Sequence, residues 1–236
     1  MLNFLGIGAQ KAGTTWLYEM LSHHADISFP AGKEVHFWNR QQQEVDWYNS
    51  LFINTNIAGD ITPAYSFLTV KVIKQIYSYY PKIKLIYIIR NPIYRAWSSA
   101  LMALGRAEMT IAEASDQWFV DHFNSQGSLQ RGDYEICIKN WLQVFPSEQL
   151  LILRFEEITT DPQQLLIKCC HHLNIDPTIY LSINNNIFQK KIFAGNRQSL
   201  RSSLYPFLFQ IYQTKIIKLE KYLQQDLSDW LIPYDG

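Results

Sequence analysis

The run Gly8-Ala9-Gln10-Lys11-Ala12-Gly13-Thr14-Thr15 is the first part of the sequence that could do chemistry. Small residues between an apolar strand pattern and a helical pattern expose consecutive backbone N–H groups at a helix N-terminus. That end carries about half a positive charge and suits a phosphate or sulfate group. Lys11 adds a mobile full charge, and the Thr14 and Thr15 hydroxyls can donate to anionic oxygens. The order departs from the GxxxxGK[ST] phosphate-loop template, because Lys11 precedes Gly13. An ordinary strand-to-helix turn, with Lys11 solvated, is the plainer alternative. A second anion-binding set follows the apolar run Lys84–Ile89. Arg90 stands at its end and Ser98 eight residues on, about two turns along the next helical pattern. Such a pair can grip a phosphate through charge-assisted hydrogen bonds. Arg95, one turn into that helix, reads equally as a ligand, a surface residue or a salt-bridged one. Asp60 is a candidate for the Mg²⁺-holding aspartate of a kinase-like NTPase, although Ile57-Ala58-Gly59 before it is weakly apolar.

The elements that must position these groups follow from periodicity. Asn3–Gly8, Ile57–Asp60, Lys84–Ile89 and Leu150–Phe155 read as strands; the uninterrupted KLIYII run predicts a strand covered on both faces. Thr14–His24, Leu68–Tyr80, Pro92–Leu104, Tyr134–Phe145, Asp161–Leu173 and Ser199–Leu223 carry helical spacing. Pro92 sits in a first turn, and Asp161 as N-cap precedes Pro162. Strands regularly separated by helices imply an α/β protein, a P-loop-like parallel β-sheet flanked by helices on both faces. Ligands of such sheets sit at the carboxyl ends of the strands.

Composition narrows the classes. The chain has 236 residues, fitting one large domain over 1–236, and it is 47% hydrophobic with only 18% charged residues. That excludes intrinsic disorder, collagen-like repeats and coiled coil. Twenty-one basic against 21 acidic residues argues against a duplex-DNA binder or a polybasic membrane-surface protein, but leaves a local anion site open. No apolar stretch approaches the roughly 20 residues needed to span a bilayer, and Met1–Gly8 lacks a signal-peptide pattern, so a cytoplasmic location is expected. Three cysteines, Cys137 and the pair Cys169 and Cys170, suit buried thiols in a reducing compartment. His171 and His172 follow that pair, yet no second ligand element supports a metal site, and none is expected.

Together with Lys33-Glu34-Val35-His36-Phe37-Trp38, the two anion-binding sets resemble the sulfotransferase superfamily that uses 3′-phosphoadenosine 5′-phosphosulfate (PAPS). The similarity is greatest to the branch of heparan sulfate N- and 3-O-sulfotransferases and their bacterial relatives. Thr62-Pro63-Ala64-Tyr65, Asn140–Pro146 and Asp226–Trp230 are weaker echoes in the expected order. The resemblance implies the sulfotransferase fold, with Lys11, Ala12, Gly13, Thr14, Thr15 and Trp16 as the 5′-phosphosulfate loop and Arg90 with Ser98 as the 3′-phosphate site. Lys191 corresponds only approximately to the family's late Lys-Gly loop, and Arg197 is a further candidate for the 3′-phosphate or adenine side.

The implied reaction is an in-line sulfuryl transfer, without a metal, to a hydroxyl or amine of a glycan or small-molecule acceptor, leaving adenosine 3′,5′-bisphosphate. The resemblance assigns the general base to Glu34, with His36 as the rival, and partial burial is expected to raise the carboxyl pKa; a salt bridge to Lys33 or Lys11 is the plainer reading of that carboxylate. In an extended segment, residues two apart face the same side, so both would reach one cleft. Phe37, Trp38, Trp47, Tyr48 and Tyr65 could stack on an acceptor or form core. In some animal relatives a Lys falls near Ile61, and its absence here weakens the case for a long, highly sulfated acceptor. A P-loop kinase or NTPase, or a non-catalytic nucleotide- or carbohydrate-binding module of the same fold, are the alternatives.

Overall fold

The structure is a computed structural model, and it describes residues 1–41, 44–53, 56–182, 187–188 and 198–233. Five strands, β1 (Leu2–Gly8), β2 (Ile27–Ser28), β3 (Ile57–Ile61), β4 (Lys84–Ile89) and β5 (Leu150–Arg154), form one sheet in the order β2-β3-β1-β4-β5. Every pairing is parallel. The described residues also form helices α1 (Thr14–Ser22), α2 (Val45–Ser50), α3 (Val70–Tyr79), α4 (Pro92–Arg106), α5 (Asp116–Asn124), α6 (Gln126–Arg131), α7 (Tyr134–Leu142), α8 (Glu157–Thr160), α9 (Pro162–Leu173), α10 (Thr178–Ser182) and α11 (Tyr205–Leu223), with short 3-10 turns besides. The described residues of 1–89 and 138–193 make one compact unit, and those of 90–137 and 194–236 a second.

The sheet belongs to the first unit. Its strand β4 has the bounds that its apolar run predicts, and Leu85 through Ile89 are all fully buried. Alternate side chains of a strand face opposite sides, so burial of all five means that both faces are covered. After β1 the chain turns toward β2 and β3; after β4 it turns the other way, toward β5. The carboxyl ends of β1 and β4 therefore form the topological switch point, where open parallel sheets bind ligands. The strand β2, only two residues long, escapes the sequence reading because periodicity needs more residues to register.

The second unit is built on helices. In α4, Ile93, Ala96, Trp97, Ala100 and Leu104 recur at helical spacing and are buried. Leu208, Tyr212, Ile216 and Leu219 form the buried stripe of α11, which packs against α4. The helix α11 starts at Tyr205, later than Ser199, where the pattern predicts it. The Arg201 guanidinium bonds Asp116 and the carbonyls of Ile111 and Ala114, and it lies 4.8 Å from the Phe119 ring centroid. Those contacts hold the preceding segment outside the helix, and Pro206 opens its first turn. Among the described residues no helix is long and apolar enough to cross a membrane.

Candidate active site

The loop between β1 and α1 is shaped by its glycines. Gly13 stands at the N-cap of α1 with φ 85°, a left-handed conformation, and a Cβ there would overlap the Ile158 side chain. Lys11 adopts φ 68°, sparsely populated for a residue with a side chain. Inside the loop the Ala9 amide donates to Ile88 O (2.7 Å) and the Ala12 amide to Ala9 O (3.2 Å). No side chain caps α1, so its first N–H groups keep the unmet donors of any helix start. The hydroxyls of Thr14 and Thr15 bond no other described residue. This donor set of backbone amides, two hydroxyls and Lys11 fits a sulfate or phosphate group. Trp16 is buried, and its indole N–H donates to Phe188 O at 3.3 Å.

Glu34 and His36 meet, though not for the reason their spacing suggests. The segment is not extended: Glu34 has φ 65° and His36 φ 56°. These two left-handed residues flank buried Val35, and His36 Nε2 lies 3.0 Å from Glu34 Oε2. The Asn39 amide nitrogen sits 3.3 Å from His36 Nδ1. An amide NH₂ only donates, which assigns Nδ1 as acceptor and places the imidazole hydrogen on Nε2, toward the carboxylate. Lys33 Nζ bonds the other carboxylate oxygen, Oε1, at 2.5 Å.

This arrangement reverses the expected direction of the Glu34 pKa. Burial pushes the carboxyl up, but the hydrogen bond and charge of Lys33, and then the hydrogen bond of His36, outweigh it. Glu34 is held below the usual carboxylate range. Its side chain is 37% exposed, so an acceptor can reach it. The Lys33 salt bridge is the plainer reading of Glu34 made real, whereas Asn39 is a participant that the sequence reading does not name. Its position three residues after His36 was the available signal.

In the second unit Arg90 directly follows β4, and its carbonyl accepts from Tyr134 Oη at 2.8 Å. The Asn91 side chain caps α4, accepting from Ile93 N (3.0 Å) and donating to Trp230 O (3.0 Å). Ser98 lies half-buried on α4, its hydroxyl bonded to no other described residue. Arg95 is not a surface residue, and among the described residues it has no ion-pair partner. It is fully buried, and its Nη2 donates to Ser128 O (3.0 Å) and Tyr212 Oη (3.4 Å).

Lys191 and Arg197 lie outside the described residues. Asp60 is fully buried, and its carboxylate accepts from Tyr48, Thr62 and Tyr65, which makes it unsuited to holding a solvated Mg²⁺. Of the aromatic candidates, Phe37, Trp38, Tyr48 and Tyr65 are core, whereas Trp47 is exposed. All three cysteines are buried thiols outside any disulfide, and no metal-ligating cluster is found among the described residues.

A parallel five-stranded sheet with an anion-ready loop after its central strand defines a P-loop-like α/β protein. The family model for the sulfotransferase domain matches residues 3–201, and the chain belongs to that family. Human heparan sulfate glucosamine 3-O-sulfotransferase 6 is 30% identical over 165 residues, covering 66% of this chain and 47% of the relative. Human bifunctional heparan sulfate N-deacetylase/N-sulfotransferase 3 is 28% identical over 268 residues, covering 97% of this chain and 31% of the relative. The chain thus spans about half the length of the first and a smaller share of the second. A solved sulfotransferase from Alicyclobacillus acidocaldarius superposes with a TM-score of 0.75 at 25% identity, covering 98% of both chains. A mouse sulfotransferase complexed with PAP shares the fold, with a TM-score of 0.61 at 16% identity over 94% of this chain and 88% of its own.

Proposed function

We propose that this chain is a PAPS-dependent sulfotransferase that transfers a sulfuryl group to a hydroxyl or amine of a glycan or small-molecule acceptor, with Glu34 as general base. The observation that carries the reading is the Glu34 carboxylate, held ionised by Lys33 and His36 yet open to solvent. An ionised carboxylate offers about four lone-pair positions, so two remain for an acceptor hydroxyl. A pure nucleotide binder has no use for that group.

PAPS, when bound, supplies the activated sulfuryl group. Glu34 takes the acceptor proton as the acceptor oxygen bonds to sulfur and becomes acidic, which a base of lowered pKa can still accomplish. Lys11 neutralises the charge that builds on the departing 5′-phosphate oxygen as the sulfur–oxygen bond breaks. The N–H groups of Gly13, Thr14 and Thr15 hold the non-bridging oxygens, stabilising charge by position alone. On the family resemblance, Arg90 and Ser98 recognise the 3′-phosphate that ATP lacks. The names of the relatives favour an amino-sugar glycan as acceptor class. The balanced total charge and Ile61, where some animal relatives carry Lys, favour one that is sparsely sulfated.

Equilibrium binding and transfer of labelled sulfate test this reading. Adenosine 3′,5′-bisphosphate should bind without Mg²⁺ and more tightly than ATP, and PAPS should sulfate at least one member of a glycan and small-hydroxyl panel. Mg²⁺-dependent preference for ATP would overturn it in favour of a kinase or NTPase. Bisphosphate binding with no transfer to any acceptor would favour a binding module.

A further inference from the structure

Residues 34–38 hold two left-handed side-chain-bearing residues, each costing about 1–2 kcal/mol. Such a conformation persists only where its surroundings impose it. Here five consecutive amides are tethered to the end of β3 and the 3-10 turn after it (Pro63–Phe67). Glu34 N donates to Ile61 O (3.2 Å), and Val35 N to the Asp60 carboxylate. His36 N lies 3.4 Å from Thr62 Oγ1, Phe37 N 2.9 Å from Tyr65 Oη, and Trp38 N 3.5 Å from the same oxygen.

The direction of these bonds is set by one group. A hydroxyl has a single hydrogen to donate. Thr62 gives its hydrogen to Asp60 Oδ1 (2.7 Å), and Tyr65 gives its own to Asp60 Oδ2 (2.8 Å). Both oxygens are thereby left with only lone pairs, which face the amides of the segment. Asp60 is fully buried, so no water competes for those hydrogens.

We propose that Asp60 is a positioning residue for Glu34 and His36: by accepting the Thr62 and Tyr65 hydroxyl hydrogens it turns both oxygens into acceptors that lock the 34–38 backbone. The proposal rests on the reading of Glu34 as general base for its consequence in turnover, but not for the tethering itself. Tyr48 supplies the control. Its hydroxyl also donates to Asp60 Oδ2 (2.8 Å), and it is fully buried, yet its oxygen bonds none of these five amides.

Because loss of the buried carboxylate threatens the fold as a whole, the test compares Tyr65→Phe with Tyr48→Phe in the full chain. Amide hydrogen exchange over residues 35–38, turnover with PAPS and the Kd for adenosine 3′,5′-bisphosphate are the readouts. Tyr65→Phe should speed exchange over this segment and lower kcat about 10- to 100-fold, the scale of a catalytic group displaced by a fraction of an ångström to an ångström. Bisphosphate affinity should stay within about twofold, since the nucleotide loop keeps its own geometry. Tyr48→Phe should change neither segment exchange nor kcat. Equal effects of the two variants, or no exchange effect from Tyr65→Phe, would overturn the proposal. If the unmodified chain sulfates no acceptor, the catalytic reading fails, and exchange alone still decides whether Asp60 locks the segment.

Discussion

Glu34 combines exposure with a lowered pKa, and the two together shape its chemistry. Glu34→Gln keeps the shape and removes the proton acceptor, so kcat should fall about 10²–10⁴-fold while bisphosphate binding stays nearly intact. Retained transfer of labelled sulfate would show that another group is the base. The pH profile gives a second handle. A base must be ionised, and Lys33 and His36 keep the Glu34 carboxylate ionised below the usual range. The acid limb of kcat/KM should therefore lie below pH 4.5, the ordinary glutamate value. Lys33→Met removes the largest lowering influence, leaves burial in place, and should move that limb to higher pH. The same sign governs stability: a depressed carboxyl pKa contributes above its unfolded value, and the contribution fades as pH falls through the folded one. The motif names Glu34 and His36 as neighbours, but the spacing argument assumes a strand, in which burial would dominate. The left-handed turns bring Lys33 and His36 onto the carboxylate, and that reverses the shift.

At the scale of elements, the two strand-to-helix junctions carry the groups proposed to bind the nucleotide's anions and differ in how they are capped. The start of α1 has no side-chain cap, whereas α4 is capped by Asn91, which also ties down Trp230 O. Asn91→Ala should cost about 1–2 kcal/mol and lower the Tm by roughly 2–8 °C for a chain of this size, read by calorimetry. Gly13→Ala forces a Cβ into a left-handed position already bounded by Ile158 and Phe155. It should weaken bisphosphate binding at least about tenfold, because an oriented cluster of amides tolerates little displacement. Unchanged affinity would mean that the loop is not the phosphate site. Both junctions are legible in the sequence, because Pro92 and the small residues around Lys11 act locally. The late start of α11 is not, since Arg201 reaches partners some 85 to 90 positions away in the chain.

For the whole molecule, buried thiols and ligand linkage offer global tests. Cys137, Cys169 and Cys170 are all buried, and burial pushes the Cys170 thiol up to about 12 and Cys169 higher still. Only thiolates react readily, so a thiol reagent at neutral pH should label the three cysteines at the rate of unfolding. Adenosine 3′,5′-bisphosphate at 100 times its Kd should stabilise the fold by about 2.7 kcal/mol and raise the Tm by roughly 5–10 °C. A total charge of zero is compatible with this, since under the proposed function Lys11 and Arg90 would act through local placement while the whole chain balances 21 basic against 21 acidic residues.

By itself the sequence determined the class of fold and the groups that could meet an anion. Both depend on short-range rules: apolar periodicity, proline and glycine at element ends, and the order of residues in a loop. Only the tertiary structure decided what those groups experience. It buried Arg95 and Asp60, set strand order so that β1 and β4 end side by side at the switch point, and placed Lys33 against Glu34. The reason is range. Propensity acts over a few residues, whereas burial, charge pairing and the direction of a hydroxyl hydrogen are set by neighbours that only folding brings together.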